Sequence, residues 1–280
     1  MKFCSSLLCA VCIWCFTLAM AQAQLGFGSF DLGNVDPIKL IEGTGKAAKG
    51  LTGIGLQEEL SIGGSVALEI VNRYGVIWRD AQATKRVNLI GKTLAQYCNR
   101  PNLPYRFGIL NSDEINAFSA PGGYVFITRG TYQAAENDNQ LAGVLAHEIA
   151  HIVKRHALRI ISRNETLSGL TDVASGASSD FANFDVGIDK ITGTLLKSGY
   201  DSNSEYEADR SGKELAKVTG FSADGLQEFL EKLQSKNSGS TFHTHPALQS
   251  RIERLSGAEP TPSTSSSRPS SRNPSYNSRR

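Results

Sequence analysis

The chain has 280 residues, 40% of them apolar and 20% charged, enough to bury a sizeable core in one domain or two small ones. Its 29 basic and 27 acidic residues nearly cancel, and no basic face of the kind nucleic acid requires is visible, which excludes nucleic acid as a partner. Of the five cysteines, Cys4, Cys9, Cys12 and Cys15 fall at the very start, so Cys98 alone follows and disulfides cannot staple the body of the fold.

Residues 1–23 have the pattern of a secretory signal peptide. Lys2 precedes an uncharged apolar run, which ends in small residues spaced A-x-A at Ala19-Met20-Ala21 and Ala21-Gln22-Ala23. The alternative is an uncleaved membrane anchor, because the run is close to the length that spans a bilayer. Residues 24–56 form a glycine-rich lead-in; its GTGKAA lacks the second glycine and the Ser/Thr of a phosphate loop. Apolar residues then recur at helical spacing from Glu58 to about Trp78 (Val66, Ile70) and from Asp80 to Cys98 (Val87, Ile90, Leu94). Cys98, at the end of the second stretch, reads as a half-buried apolar residue.

The period next changes. YRFGIL (105–110), INAFSA (115–120) and GYVFIT (123–128), divided by NSDE and PGG, predict a small antiparallel sheet. Helical spacing returns over 138–162, with Asn137 as its cap and Gln140 completing a capping box. Residues 163–203 are a polar insertion with one helix at DKITGTLLKS, and further helices are predicted at about 204–218, 223–234 and 247–255. The Ser/Pro/Arg tail, residues 257–280, has almost nothing to bury and is expected to be disordered.

All five histidines fall in two short places, LAHEIAHIVKRH (145–156) and TFHTHP (241–246). His147 and His151 are four apart on a predicted helix, so both rings project from one face and can reach one Zn²⁺. Glu148 lies beside them, placed to take a proton from a water that the metal acidifies. The bland alternative is a solvated helix face with two incidental histidines. A third ligand is needed. The metzincin pattern would put glycine and histidine where Lys154 and Ala157 stand, and His156 falls on another part of the helix, where it reads as a surface or packing residue. SNSEYEADRSG (202–212) offers Glu205 and Asp209, again four apart, while Glu207 points elsewhere. Glu205 is the candidate third ligand and Asp209 a hydrogen-bond acceptor for a ligand imidazole, although acidic helix starts are also common for dipole reasons alone.

With these residues in view, the chain resembles metallopeptidase family forty-eight, the HtpX-like gluzincins, which include CAAX prenyl peptidases, Oma-type mitochondrial proteases and periplasmic quality-control proteases. The likeness rests on QEELSIG (57–63), NAFSAPGGYVFITRG (116–130), LAGVLAHEIAHIVKRH (141–156), SEYEADRSG (204–212) and THPALQSRIERL (244–255), in the family's order. It implies an α+β, mostly helical zincin domain over residues 57–256, with the small sheet packed on the H-E-x-x-H helix and one Zn²⁺ held by His147, His151 and Glu205. It also implies that the sheet's edge strand lines the cleft, which assigns substrate pairing to Gly123, Tyr124, Val125 and Phe126; the bland alternative for this strand is ordinary sheet core. Two departures stand out: the multiple transmembrane helices of some branches are missing, and no helical-repeat domain follows the catalytic part. The histidine–proline pair before an Arg-Ile helix is a family feature, which favours a site role for His245 over His243. His245 would either stabilise the oxyanion or occupy the metal's open position until substrate displaces it.

The implied activity is a zinc-dependent endopeptidase, exported to the periplasm of a Gram-negative-type cell, soluble or peripherally associated with the membrane. Its partners would be unfolded or misfolded envelope polypeptides. The rival is a chaperone-like binding module whose zinc is structural; the intact Glu148 argues against it, since a structural site needs no general base.

Overall fold

The computed structural model describes residues 54–163, 192, 193, 196, 199–235, 244, 245 and 248–257. The signal sequence, nearly all of the lead-in, most of the 163–203 insertion, His243 and nearly all of the tail lie outside the described residues; within the insertion, Thr192, Gly193 and Leu196 are helical.

Two helices come first. In α1 (Leu56–Tyr74) the Glu58 carboxylate turns back to accept the Gly55 amide at 2.6 Å, which satisfies one of the free donors at the helix start. Ile62, Val66 and Ile70, one turn apart, form its buried stripe. Asp80 caps α2 (Ala81–Tyr97) by accepting the Ala83 amide at 2.8 Å, and Val87, Ile90 and Leu94 face inward. Cys98 closes the helix buried, its sulfur 3.4 Å from the Tyr105 hydroxyl.

The sheet comprises β1 (Arg106–Leu110), β2 (Ala117–Ala120) and β3 (Tyr124–Thr128), in the order β1-β3-β2. β3 runs antiparallel to β2, with Ala120 opposite Tyr124, and parallel to β1, with Arg106 opposite Tyr124. The sheet is therefore mixed, not wholly antiparallel as the strand pattern suggested. β2 and β3 form a hairpin through the turn Pro121–Gly123, and its second strand inserts beside β1, so those two run the same way.

This order also corrects the substrate-pairing assignment. β3 is central, hydrogen-bonded on both sides and buried along its whole length, so its backbone cannot receive an extended peptide. Gly123, Tyr124, Val125 and Phe126 are thus core, and β2 is the edge strand on the hairpin side. The unbroken apolar run of β3 is the mark of a strand covered on both faces. Val125 and Ile127 join one core with α2, and Tyr124 and Phe126 join a second core with α1.

A short α3 (Arg129–Ala134) leads to α4 (Asp138–Val153). Asn137 caps α4 by accepting the Gln140 amide at 3.0 Å, while the Gln140 carboxamide accepts from Glu136, one residue outside a standard capping box. The expected single helix over 138–162 is in fact two. Arg155 takes a left-handed φ of 57°, and α5 (His156–Arg163) starts in a new direction. The chain closes with α6 (Ser202–Val218), α7 (Gly225–Ser235) and α8 (Leu248–Leu255). Together α2, α4, α6 and α7 enclose the larger core, with Leu145, Ile149 and Phe229 at its centre.

Candidate metal centre

His147 and His151 sit one turn apart on α4, both buried. Across from them, α6 brings Glu205 and Asp209, also one turn apart and buried, while Asp201 caps the helix by accepting the Ser204 amide at 3.0 Å. The two helices can lie this close because α6 carries Gly212 at the crossing. A methyl group there would come within 2.9 Å of the His147 backbone nitrogen. The fourth group arrives on a loop. The Thr244 hydroxyl donates to the Asn116 side-chain oxygen at 2.8 Å, which pins the loop beside the start of β2 and turns the next residue, His245, into the site.

One donor atom from each of His147, His151, Glu205 and His245 lies within 4.8 Å of all the others. His147 Nε2 is 3.0 Å from His151 Nε2, 3.2 Å from His245 Nδ1 and 3.5 Å from Glu205 Oε2. Glu205 Oε1 is 3.5 Å from His151 Nε2 and 3.1 Å from His245 Nδ1. A tetrahedron with metal–nitrogen bonds of about 2.0–2.1 Å has edges of about 3.3 Å. Three imidazole nitrogens and a carboxylate at this spacing fit a zinc ion in both geometry and donor type.

The remaining polar atoms of these ligands are also engaged. His147 Nδ1 faces Asp209 Oδ1 at 2.9 Å, the acceptor role expected for Asp209. Arg251, fully buried on α8, donates to Asp209 at 2.8 and 2.6 Å and pairs with Glu205 at 3.0 Å. His151 Nδ1 faces His156 Nδ1 at 2.7 Å, and its ring stacks on Tyr200 with centroids 4.1 Å apart.

Glu148 is wholly buried beside this cluster and faces His245 Nε2 at 3.2 Å. Burial alone would raise its pKa, but the imidazoles of His245 and His147 overcome that and hold it below the usual carboxylate range. Glu205 is likewise pushed up by burial and pulled further down by His245 and Arg251. Burial and its positive neighbours hold His151 well below the ordinary histidine value. For His245 burial lowers the pKa, yet the carboxylates of Glu205 and Glu148 win and push it up to about 10. The site is thus a buried pocket in which a carboxylate stays ionised beside a cluster of metal-type donors.

The structure brings His147, Glu148, His151, Glu205, Asp209 and His245 together. It does not bring Gly123, Tyr124, Val125 or Phe126 to a free strand edge. Three contributors went unrecognised in the sequence. Of the surface and packing positions expected for His156 the structure shows the packed one: it is 1% exposed and backs His151, a contact its spacing did not suggest. Arg251 and Tyr200 come from distant stretches, and only the Arg-Ile pair at 251–252 hinted at the first.

A model of the family described as "Peptidase family M48" matches residues 81–259. The Beta-barrel assembly-enhancing protease of Escherichia coli (strain K12) is 32% identical over 185 residues, 62% of this chain and 38% of that protein. Metalloprotease YcaL of the same organism is 28% identical over 183 residues, 63% of this chain and 70% of that protein. Mitochondrial metalloendopeptidase OMA1 of Schizosaccharomyces pombe is 26% identical over 198 residues, 67% of this chain and 57% of that protein. The chain thus spans less than half the length of the assembly-enhancing protease it matches. With a family model covering most of its length and the metal-type cluster inside the match, the chain belongs to peptidase family M48.

Proposed function

We propose that the protein is a zinc-dependent endopeptidase that cleaves exported polypeptides, unfolded or misfolded, in the cell envelope. The observation that carries this reading is the buried donor cluster His147, His151, Glu205 and His245, its donor atoms all within 4.8 Å of one another, with an ionised, buried Glu148 against it. When bound there, zinc supplies Lewis acidity that polarises a scissile carbonyl and acidifies water. Glu148 takes the water's proton and delivers it to the leaving amine. Asp209 and Arg251 hold His147 and Glu205 in place, and His245 moves aside to admit substrate. β2 is buried at every residue while the Thr244–His245 loop is in place, with the Thr244 hydroxyl reaching the Ala117 carbonyl at 3.3 Å; once that loop moves aside, an extended peptide can add along the outer edge of β2 through main-chain hydrogen bonds, which read backbone and not side chains. That mode suits chains selected by unfoldedness.

Export is supported by the signal-like residues 1–23 and the A-x-A spacing at their end. Among the described residues no helix is long and apolar enough to cross a membrane. A site closed by four side chains is otherwise the habit of structural zinc, and this favours the chaperone-like alternative at one point only. A general base in contact with the fourth donor has no structural duty.

The test is Glu148→Gln. The variant is expected to keep zinc and to lose cleavage of unfolded casein by at least about 100-fold, while a chelator abolishes cleavage by the unaltered protein. Full activity in Glu148→Gln would remove the general base from the mechanism.

A further inference from the structure

His156 lies five residues beyond His151, a spacing that on one continuous helix would put the two rings on different faces. The break after α4 changes that. Arg155 adopts its left-handed φ of 57°, a conformation that costs an ordinary side chain about 1–2 kcal/mol, and the turn swings His156 back against His151. The strain is held by the Arg155 guanidinium, which donates to the Ile54 carbonyl at 2.8 Å and to the buried Glu59 carboxylate at 2.9 Å.

The contact has a fixed sense. His151 presents Nε2 to the metal-type cluster, so its remaining proton sits on Nδ1. With His156 Nδ1 only 2.7 Å away, one nitrogen donates and the other accepts, so His156 accepts at Nδ1 and carries its own proton on Nε2. That Nε2 faces Glu207 Oε2 at 3.2 Å. The Glu207 carboxylate is braced in turn by Lys154 at 3.2 Å and Arg159 at 3.1 Å.

We infer that His156 and Glu207 are positioning residues for the metal ligand His151, a His151–His156–Glu207 relay that fixes its tautomer and ring and strengthens its donor nitrogen. Glu207 therefore points away from the cluster but still acts on it, through one intervening imidazole. The inference rests on the metal-site reading above. It goes beyond that reading by giving a function to the helix break and to two residues outside the ligand set.

The experiment measures zinc affinity of the full chain, prepared metal-free, by competition with a chromogenic chelator. Melting of each metal-free variant is recorded alongside. His156→Phe fills the buried space but accepts no proton; it is expected to bind zinc about 10–100-fold more weakly. His156→Gln packs less well yet keeps an acceptor, and should stay within a few-fold of the unaltered protein. A packing role for His156 predicts the reverse order, with Phe tolerated and Gln harmful, and that result overturns the relay. Should His156→Phe melt far lower without metal, the partly exposed Glu207→Ala decides: several-fold weaker zinc binding supports the relay, and unchanged binding overturns it. If the unaltered chain itself binds no zinc, the metal-site reading fails, an outcome distinct from zinc bound equally by all variants.

Discussion

His245 is the only one of the four donors that comes from a loop and not a helix, and its two ring nitrogens face two different partners: Nδ1 the metal-type cluster and Nε2 the general base. There it stands as the fourth donor of the cluster, where a catalytic metal would keep a position open, and it contacts Glu148 as well. We propose that it is a blocking ligand, the second of the two roles raised for it. His245→Ala is therefore expected to raise basal cleavage of unfolded casein several-fold while weakening zinc binding. An oxyanion role predicts the opposite sign, a loss of about 10²–10³ in kcat, so one casein assay separates the two. Glu205→Ala should lower both zinc content and activity, because Glu205 is the one carboxylate among the four donors. At this scale the sequence was legible where spacing is local: the i, i+4 pairs His147/His151 and Glu205/Asp209 each share a helix face, and both pairs meet in the site. The contact of His156 with His151 was not legible because helical periodicity was carried across Arg155, where the chain turns into a second helix.

Among the elements, the crossing of α4 and α6 is decisive, since it brings Glu205 and Asp209 to His147 and His151 from a distant stretch of the sequence. Gly212→Ala probes it. On an exposed helix the change would gain about 1 kcal/mol from propensity. Here the added methyl meets the His147 backbone nitrogen at 2.9 Å, and backbone cannot swing away as a side-chain tip can. Overpacking of this kind costs about 1–3 kcal/mol, so the expected net result is a lower melting temperature together with weaker zinc binding. A rise in melting temperature would show that the helices are not closely held at this point. Helix positions were legible to within a few residues because the buried stripes of α1 and α2 repeat at three and four. Strand order was not. YRFGIL, INAFSA and GYVFIT look alike as strands, and only the insertion of β3 between the other two makes one pair parallel and removes β3 from the edge. The unbroken apolar run YVFI of β3 was the available signal.

For the molecule as a whole, metal and fold should be coupled, because the donors come from α4, α6 and the loop before α8. Zinc at ~1,000-fold above its Kd would add about 4 kcal/mol of stability, seen as a clear rise in melting temperature that a chelator reverses. That gain should fade on acidification, since protons compete for the imidazoles and for Glu205. Asp209 sets a lower limit. Burial would raise its pKa, but Arg251 and His147 hold it at about 2. A carboxylate depressed in the folded chain stabilises it above the unfolded pKa of about 3.9 and loses that contribution as pH falls toward 2. Melting measured with excess chelator should therefore drop across that acid window, and in Asp209→Asn that portion of the drop should be missing.

The most direct test of the central claim is a titration of the metal-free full chain with zinc while cleavage of unfolded casein is followed. The account predicts that cleavage is absent at the start, rises with each increment, and stops rising at one zinc per chain. Cleavage that proceeds without zinc, or one equivalent of tightly bound zinc that produces no cleavage in either the unaltered chain or His245→Ala, would contradict it.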